Sequence, residues 1–372
     1  MSEVLRECAG LIYGRSFHYI DHLVPLCEML SIPILVTEEE MERGIRQFYP
    51  NIAVKQIDTI RLPEYVVSHF SMLFVCTPRA LFDEVFFFLQ ALYHKRVHTI
   101  WCPHGNSDKG HIVPCMEALD KEESLLIYGE KMLEFLRSKQ VAVERKRVLE
   151  VGNYRKRYYE DNKGFYDRLV YETLLYKLPK GKKNILYAPT WEDAEGSSSF
   201  YTALPALVDS LPQEYNLLVK PHPNLLLDAA GKGESWISQY EGREGVVFLK
   251  EFPPVYPLLA LADIYVGDLS SIGYDALAFP LPMFYLSKGK RDRHKDPGLY
   301  LYQCGVEIGP SDYPNIYKLV KEALVVDVTL FFETRKQVYE YTFAKESASK
   351  EQLQRKMEIF CGSILDEEPD VF

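Results

Sequence analysis

Asp263-Ile264-Tyr265-Val266-Gly267-Asp268-Leu269-Ser270-Ser271-Ile272-Gly273-Tyr274-Asp275-Ala276-Leu277-Ala278-Phe279-Pro280 reads as a strand, a tight turn and a helix start. Asp263 to Val266 has the makings of a short buried strand, Gly267-Asp268 breaks it, and Ser270-Ser271 opens an apolar helical run that Pro280 stops. Such a helix start leaves backbone N–H groups unpaired and points the positive end of its dipole outward. With two hydroxyls added, it makes a seat for phosphate. Serine is equally the ordinary capping residue, so the spacing alone leaves both readings open.

Outward from this stretch, apolar strands alternate with helical runs in both directions. The first half offers strands over Ala9 to Gly14, Ile32 to Thr37, Ala53 to Ile57, Ser71 to Thr77, Thr99 to Cys102, Ser124 to Tyr128 and Val148 to Val151. Helical patterns fall between them at Tyr19 to Leu30, Glu38 to Phe48, Arg79 to His94 and Glu130 to Lys139. The alternation restarts after Gly164, with strands at Asn184 to Ala188, Asn216 to Val219, Val246 to Leu249, Met283 to Leu286 and Val306 to Ile308. Repeated βα units predict parallel, doubly wound sheets covered on both faces. The expected class is therefore α/β: two tandem Rossmann-like domains, over 1–164 and 165–345, with a cleft between them and a helical tail over 346–372. Ligands of such sheets bind at the carboxyl ends of the strands.

Composition narrows the function. The chain has 372 residues, 47% of them hydrophobic, enough for more than one core. A net charge of −10 leaves no dominant basic face and argues against a nucleic-acid partner. The seven cysteines form no C-x-x-C pair, so neither a disulfide framework nor a zinc knuckle is expected, and a reducing cytoplasm suits them. Cys102 and Cys115 lie near His104 in sequence but lack a triad context. The start carries Glu3, Arg6 and Glu7 instead of an apolar leader, and no run reaches the ~20 apolar residues of a spanning helix. If the protein meets a membrane, it does so from the surface. Phe86-Phe87-Phe88 could touch one, although a buried helix is the commoner explanation.

Two histidines follow strands at their carboxyl ends. His104, in Trp101-Cys102-Pro103-His104-Gly105-Asn106-Ser107-Asp108-Lys109, can titrate near neutrality and serve as a base, or can be a structural, hydrogen-bonded residue. His222, in Lys220-Pro221-His222-Pro223, has a proline on each side that fixes its backbone. His18 and His22 flank Asp21 at a spacing that could hold a metal on a helix face, but no third ligand is evident. No metal or resident cofactor is expected.

These motifs resemble, in order and spacing, those of the CDP-glycerol glycerophosphotransferases, the teichoic-acid primases and polymerases. The likeness runs over roughly residues 100 to 286. It comprises His104-Gly105 with Lys109; Gly152-Asn153-Tyr154-Arg155; Tyr187-Ala188-Pro189-Thr190-Trp191; His222-Pro223; and Asp268-Leu269-Ser270-Ser271 with Asp275, Pro280, Phe284 and Tyr285. The resemblance implies a GT-B fold whose N-terminal domain takes the acceptor and whose C-terminal domain takes the nucleotide donor. It implies catalytic roles for His104 and His222, facing one cleft. Donor pyrophosphate or nucleotide binding would fall to Ser270, Ser271, Asp268, Pro189, Thr190 and Arg155, and acceptor or supporting roles to Gly105, Lys109 and Asp275.

The implied reaction moves a glycerol-phosphate or related phospho-alditol unit from a CDP-linked donor to a hydroxyl on a saccharide or lipid-linked acceptor, releasing CMP during cell-envelope polymer or glycolipid synthesis. The inner face of the cell membrane is the implied place of work. A nucleotide-sugar glycosyltransferase or epimerase of the same fold is one alternative, and a non-catalytic nucleotide-binding protein is another. The chain departs from the family pattern in three places. Glu192 stands where a base is usual, Tyr154 where a proline is, and Asn106-Ser107-Asp108 replaces Thr-Pro-Leu. An acid beside a phosphate site should weaken anion binding by repulsion.

Overall fold

The computed structural model describes residues 3–78, 91–109, 116–193, 196–227, 231–287, 296–325, 327–345 and 347–366. Residues 79–90 of the helix expected over Arg79 to His94, with Phe86-Phe87-Phe88, lie outside the described residues, as does Cys115.

Two parallel sheets organise the chain. The first is built from β1 (Cys8–Ile12), β2 (Ile34–Val36), β3 (Val54–Gln56), β4 (Met72–Val75), β5 (His98–Trp101), β6 (Ser124–Ile127) and β7 (Arg147–Glu150), in the order β3-β2-β1-β4-β5-β6-β7. The second contains β8 (Lys183–Ala188), β9 (Tyr215–Val219), β10 (Val246–Phe248), β11 (Ile264–Gly267), β12 (Met283–Leu286) and β13 (Val306–Ile308), in the order β10-β9-β8-β11-β12-β13. Every pairing in both sheets is parallel. Each sheet reverses strand order once, between β1 and β4 and between β8 and β11, the mark of a Rossmann-type fold.

The strand sequences explain their positions. Central β1 and β4 are buried at every residue, as apolar strands covered on both faces must be. Edge strand β3 buries Val54 and exposes Lys55 and Gln56. The helix Phe17–Leu30 lies so close on β1 that a Cβ at Gly10 would collide with the Cys27 sulfur. In the second sheet the helix Phe200–Asp209 presses Phe200, Leu204 and Leu207 onto Ile185, Leu217 and Val266. Each fully buried side chain of that kind contributes about 1.5–3 kcal/mol.

The chain forms two compact units. The first comprises Met1–His104, Met116–Tyr158 and Thr342–Phe372, and the second Gly105–Cys115 and Tyr159–Tyr341. These differ from the expected segments 1–164, 165–345 and 346–372. The chain leaves the first unit before the helix Lys163–Thr173, and its last helix returns there. That helix, Lys350–Leu365, buries Leu353, Met357, Cys361 and Ile364 along one stripe, and Gln354 donates to the carbonyl of Met29 at 2.8 Å. A Ser349–Gln352 capping box starts it. The helical tail expected over 346–372 is a helix here, and its apolar stripe is what binds it to the first unit. The sequence reading also passed over the helices Leu62–His69 and Tyr154–Asp161.

Candidate active site

In the first unit the chain leaves β5 at Trp101 and turns at Cys102-Pro103-His104. Cys102 donates its N–H to the Val75 carbonyl at 2.7 Å, which prolongs the sheet by one bond. Gly105 then takes φ of +118°, a backbone setting that favours glycine and lets the chain turn away directly after His104. Tyr128 fixes the turn by donating its hydroxyl to the Pro103 carbonyl at 3.2 Å. Since that phenol has a single proton, the Nδ1 of His22, 2.9 Å from the same oxygen, is the donor in their contact. Tyr154, the departure from the family's proline, donates to the His22 carbonyl at 2.7 Å and stacks on Tyr128.

The His104 ring lies among aromatic walls. Ring centroids of Tyr19, Trp101 and His18 stand 5.2, 6.1 and 6.3 Å away. Its Nδ1 is enclosed and has no hydrogen-bond partner among the described residues. Burial lowers the His104 pKa to about 4. Burial, and then the proximity of His104, lowers that of His18 to about 3. At neutral pH both rings are uncharged, and His104 is able to accept a proton.

Arg155 does not have the role expected of it. It is 2% exposed, its Nε donates to the Asp21 carbonyl at 2.9 Å, and its guanidinium pairs with the Asp21 carboxylate. Tyr49 completes that carboxylate's contacts at 2.8 Å. A buried guanidinium needs such a partner, so Arg155 ties the chain after β7 to the helix Phe17–Leu30 and is not presented to a donor. Asp21 and His22 are thereby engaged with Arg155 and Tyr128.

In the second unit the motif residues collect at the carboxyl ends of β9, β8 and β11, which are neighbours at the point where strand order reverses. Pro189 and Thr190 follow β8, and both are buried. Lys109 reaches Thr190 Oγ1 and the Asp193 carboxylate, the latter at 3.0 Å, and its ammonium stands 5.1 Å from the Trp191 ring centre. Burial would raise the Asp193 pKa, but the Ser197 amide and the Lys109 charge outweigh it and hold the carboxyl below its usual range. Trp191 in turn lies 6.4 Å from the His222 ring. Lys109, Thr190, Trp191, Asp193 and His222 thus form one cluster, and only Asp193 among them went unread in the sequence. Its signal was an acid three residues past Thr190.

His222 caps the short helix Pro223–Leu226: its Nδ1 accepts the Asn224 N–H at 3.1 Å. In the neutral ring that bond leaves the proton on Nε2, which becomes a hydrogen-bond donor. Lys220, just ahead, is buried and donates to the Phe252 carbonyl at 2.7 Å.

Asp268, expected at the donor, faces inward instead. It is fully buried and accepts from the Thr190 and Ser199 amides at 2.7 and 2.8 Å and from the Ser199 hydroxyl at 2.8 Å. Burial lifts its pKa to about 6 despite those donors. Its role is to brace the turn after β8 against the turn after β11. Ser270 is buried and accepts the Ile272 N–H at 3.3 Å, the capping reading of the sequence, while Ser271 is half-buried at the first position of the helix Ser271–Ala276. Asp275 is buried and accepts from the Tyr256 hydroxyl at 3.1 Å, a supporting contact. Asp108, one of the departures, is anchored by the Tyr274 hydroxyl and by the Leu301 amide at 2.8 Å. Glu192 is half exposed, with Lys232 3.9 Å away to offset its charge in part.

Known proteins resemble the chain in part of its sequence and in its fold. Residues 126–305 match the family described as CDP-Glycerol:Poly(glycerophosphate) glycerophosphotransferase. The teichoic acid glycerol-phosphate primase of Bacillus spizizenii is 29% identical over 126 residues, a match that takes in 33% of this chain and only 30% of the primase. Among solved structures, a variant of the wall teichoic acid polymerase TagF soaked with CDPG aligns with TM-score 0.67 and 16% identity, over 97% of this chain and 90% of that one. UDP-GlcNAc 2-epimerase from Neisseria meningitidis aligns with TM-score 0.56 and 12% identity, over 97% of this chain and 100% of that one. At these identities the structural likeness is one of fold.

Proposed function

We propose that the chain, whose residues 126–305 match the CDP-glycerol glycerophosphotransferase family, transfers glycerol phosphate from CDP-glycerol to a hydroxyl acceptor in cell-envelope polymer synthesis. The observation that carries this reading is the pair of histidines in complementary proton states. His104 is a desolvated, neutral imidazole able to take a proton, and His222 is held as an Nε2–H donor.

In this reaction His104 accepts the proton of the acceptor hydroxyl as its oxygen attacks the β-phosphorus of the donor. The bond from that phosphorus to the bridging oxygen breaks, and CMP leaves with the bonding pair. The Nε2–H of His222 donates a hydrogen bond to the charge that develops on the phosphate oxygens, and Ser270, Ser271 and their neighbouring amides receive the pyrophosphate. Lys109, held by Thr190 and Asp193, contributes a fixed positive charge to the same side.

The acceptor would be saccharide or lipid-linked and reached at the inner face of the cell membrane. No helix among the described residues is long and apolar enough to cross a membrane. Purified protein incubated separately with CDP-glycerol, CDP-ribitol and UDP-sugars, each with a glycerol-phosphate acceptor, should release CMP and transfer the alditol phosphate from a CDP-alditol and leave the UDP-sugars unchanged. Release of UDP alone, or interconversion of a UDP-sugar, would favour the glycosyltransferase or epimerase alternative instead.

A further inference from the structure

A cavity of about 590 Å³ opens at the carboxyl end of β3, within the first unit. Lys55, Gln56, Arg61 and Tyr65 line it, with buried Ile57 among its walls. The Lys55 ammonium stands 4.0 Å above the Tyr65 ring centre, a cation–π contact that holds the charge at the cavity wall. Arg61, which caps the helix Leu62–His69, is exposed. The one carboxylate lining the cavity, Asp58, is tied into its own turn. It accepts the Ile60 N–H at 2.9 Å, and its carbonyl accepts the amides of Arg61 and Leu62.

A lysine and an arginine facing one cavity on a chain of net charge −10 require an explanation. With Asp58 counted, the lining carries one net positive charge, which suits a singly charged phosphate; the tyrosine face suits the polyol beside it, as does the Gln56 amide, one N–H of which donates to the Thr37 carbonyl at 3.1 Å. The cavity's position supports this assignment. All strands of this sheet are parallel, so the ends of β3 and β5 lie on one edge, and His104 follows β5. In the order β3-β2-β1-β4-β5 the two ends are four strand spacings apart, about 19 Å at about 4.8 Å each.

We propose that this cavity is a binding site for a phosphodiester of a polyol phosphate, remote from the reacting hydroxyl and on the same sheet edge as His104. The inference rests on the transferase reading for its biological sense, and it names a site to which that reading assigns no part. Such a diester comes either from an inner repeat of the acceptor chain or from a lipid headgroup.

The test is the double variant Lys55→Glu/Arg61→Glu in the full chain, with Lys55→Arg as the charge-keeping control. One arm titrates a synthetic glycerol-phosphate oligomer into the protein by calorimetry. The other measures retention on phosphatidylglycerol vesicles against phosphatidylcholine. Binding should weaken about tenfold or more in the double variant, survive in Lys55→Arg, and in wild type fall steeply with salt. Loss in the oligomer arm assigns the diester to the acceptor, and loss in the vesicle arm assigns it to the headgroup. Equal binding by wild type and the double variant in both arms overturns the site. CMP release from CDP-glycerol with the glycerol-phosphate oligomer as acceptor is read in parallel. Wild type that binds the oligomer through these residues yet never releases CMP would sink the transferase reading and leave the site standing.

Discussion

His104 and His222 each follow a strand at the carboxyl edge of a parallel sheet, yet their rings meet different surroundings. Tyr19, Trp101 and His18 wall His104, and its Nδ1 has no hydrogen-bond partner among the described residues. His222 stands between two prolines with a backbone amide on its Nδ1. In the first case burial keeps the ring uncharged; in the second a hydrogen bond selects which nitrogen carries the proton. One residue type thereby takes two proton arrangements, and the difference lies in the neighbours that each unit supplies.

The largest effect should come from removing the base. His104→Ala is expected to lower kcat by about 10²–10⁴-fold while donor affinity stays near wild type, because the proton is taken only as the transition state forms. Steady-state kinetics with a separate CMP-binding titration checks both halves, and wild-type turnover in this variant would reduce His104 to a structural residue. On the other side of the comparison, the double variant Ser270→Ala/Ser271→Ala should weaken donor binding by about 1.5–3 kcal/mol for each hydrogen bond to phosphate that is lost. Loss of the Ser270 cap should also cost about 1 kcal/mol of stability, visible in urea unfolding. Unchanged CDP affinity alongside lowered stability would leave the serines as caps only.

Much of this was legible in the sequence, and the reasons are physical. Central strands buried on both faces must be continuous apolar runs, and all of the strands proposed from the sequence, the half-exposed edge strands included, appear within a few residues of their expected ends. The histidine motifs could be read because each sits at a strand end. Pairings over long sequence separations could not. Asp268 reaches an amide 78 positions away, and Arg155 a carbonyl 134 positions away. A carboxylate braced by backbone amides and one open to a ligand have the same local sequence. Arg155 resembled a donor-binding residue for the same reason, since nothing near it announces Asp21. The last helix shows a different failure, in which frequent charges concealed the stripe from Leu353 to Ile364.

A smaller effect should separate the two histidines. His222→Ala removes one donor to a charged phosphate oxygen, worth about 10- to 100-fold, and its loss should be divided between donor KM and kcat. His222→Gln tests the assignment of the proton, since its side-chain amide can still present an N–H. Partial recovery in His222→Gln supports the donor role, whereas recovery by no substitution other than an ionisable one would point to proton transfer by His222.

The finest test concerns the wall around His104. The reactive form is the neutral ring, so kcat/KM should be flat at high pH and fall tenfold per unit below the pKa of the free enzyme. Burial puts that pKa at about 4, so wild type should hold its plateau well below the value of about 6.5 usual for histidine. Tyr19→Ala opens the nearest wall to water, and hydration of the charged imidazolium then raises the pKa toward 6.5. The variant should therefore match wild type in slightly alkaline buffer and fall behind it as the pH drops through 6. Tyr19 itself stays protonated throughout, since burial lifts its pKa to about 12, so no lost charge confuses the comparison. Trp101 is the poorer choice because its indole N–H holds the Cys76 carbonyl at 3.1 Å, and its removal would disturb the sheet. The measurement assumes that chemistry limits kcat/KM, which a solvent-viscosity series checks in the same buffers. A wild-type acid limb already at 6.5, or a Tyr19→Ala limb that does not move, would mean that the aromatic wall does not set the basicity of His104.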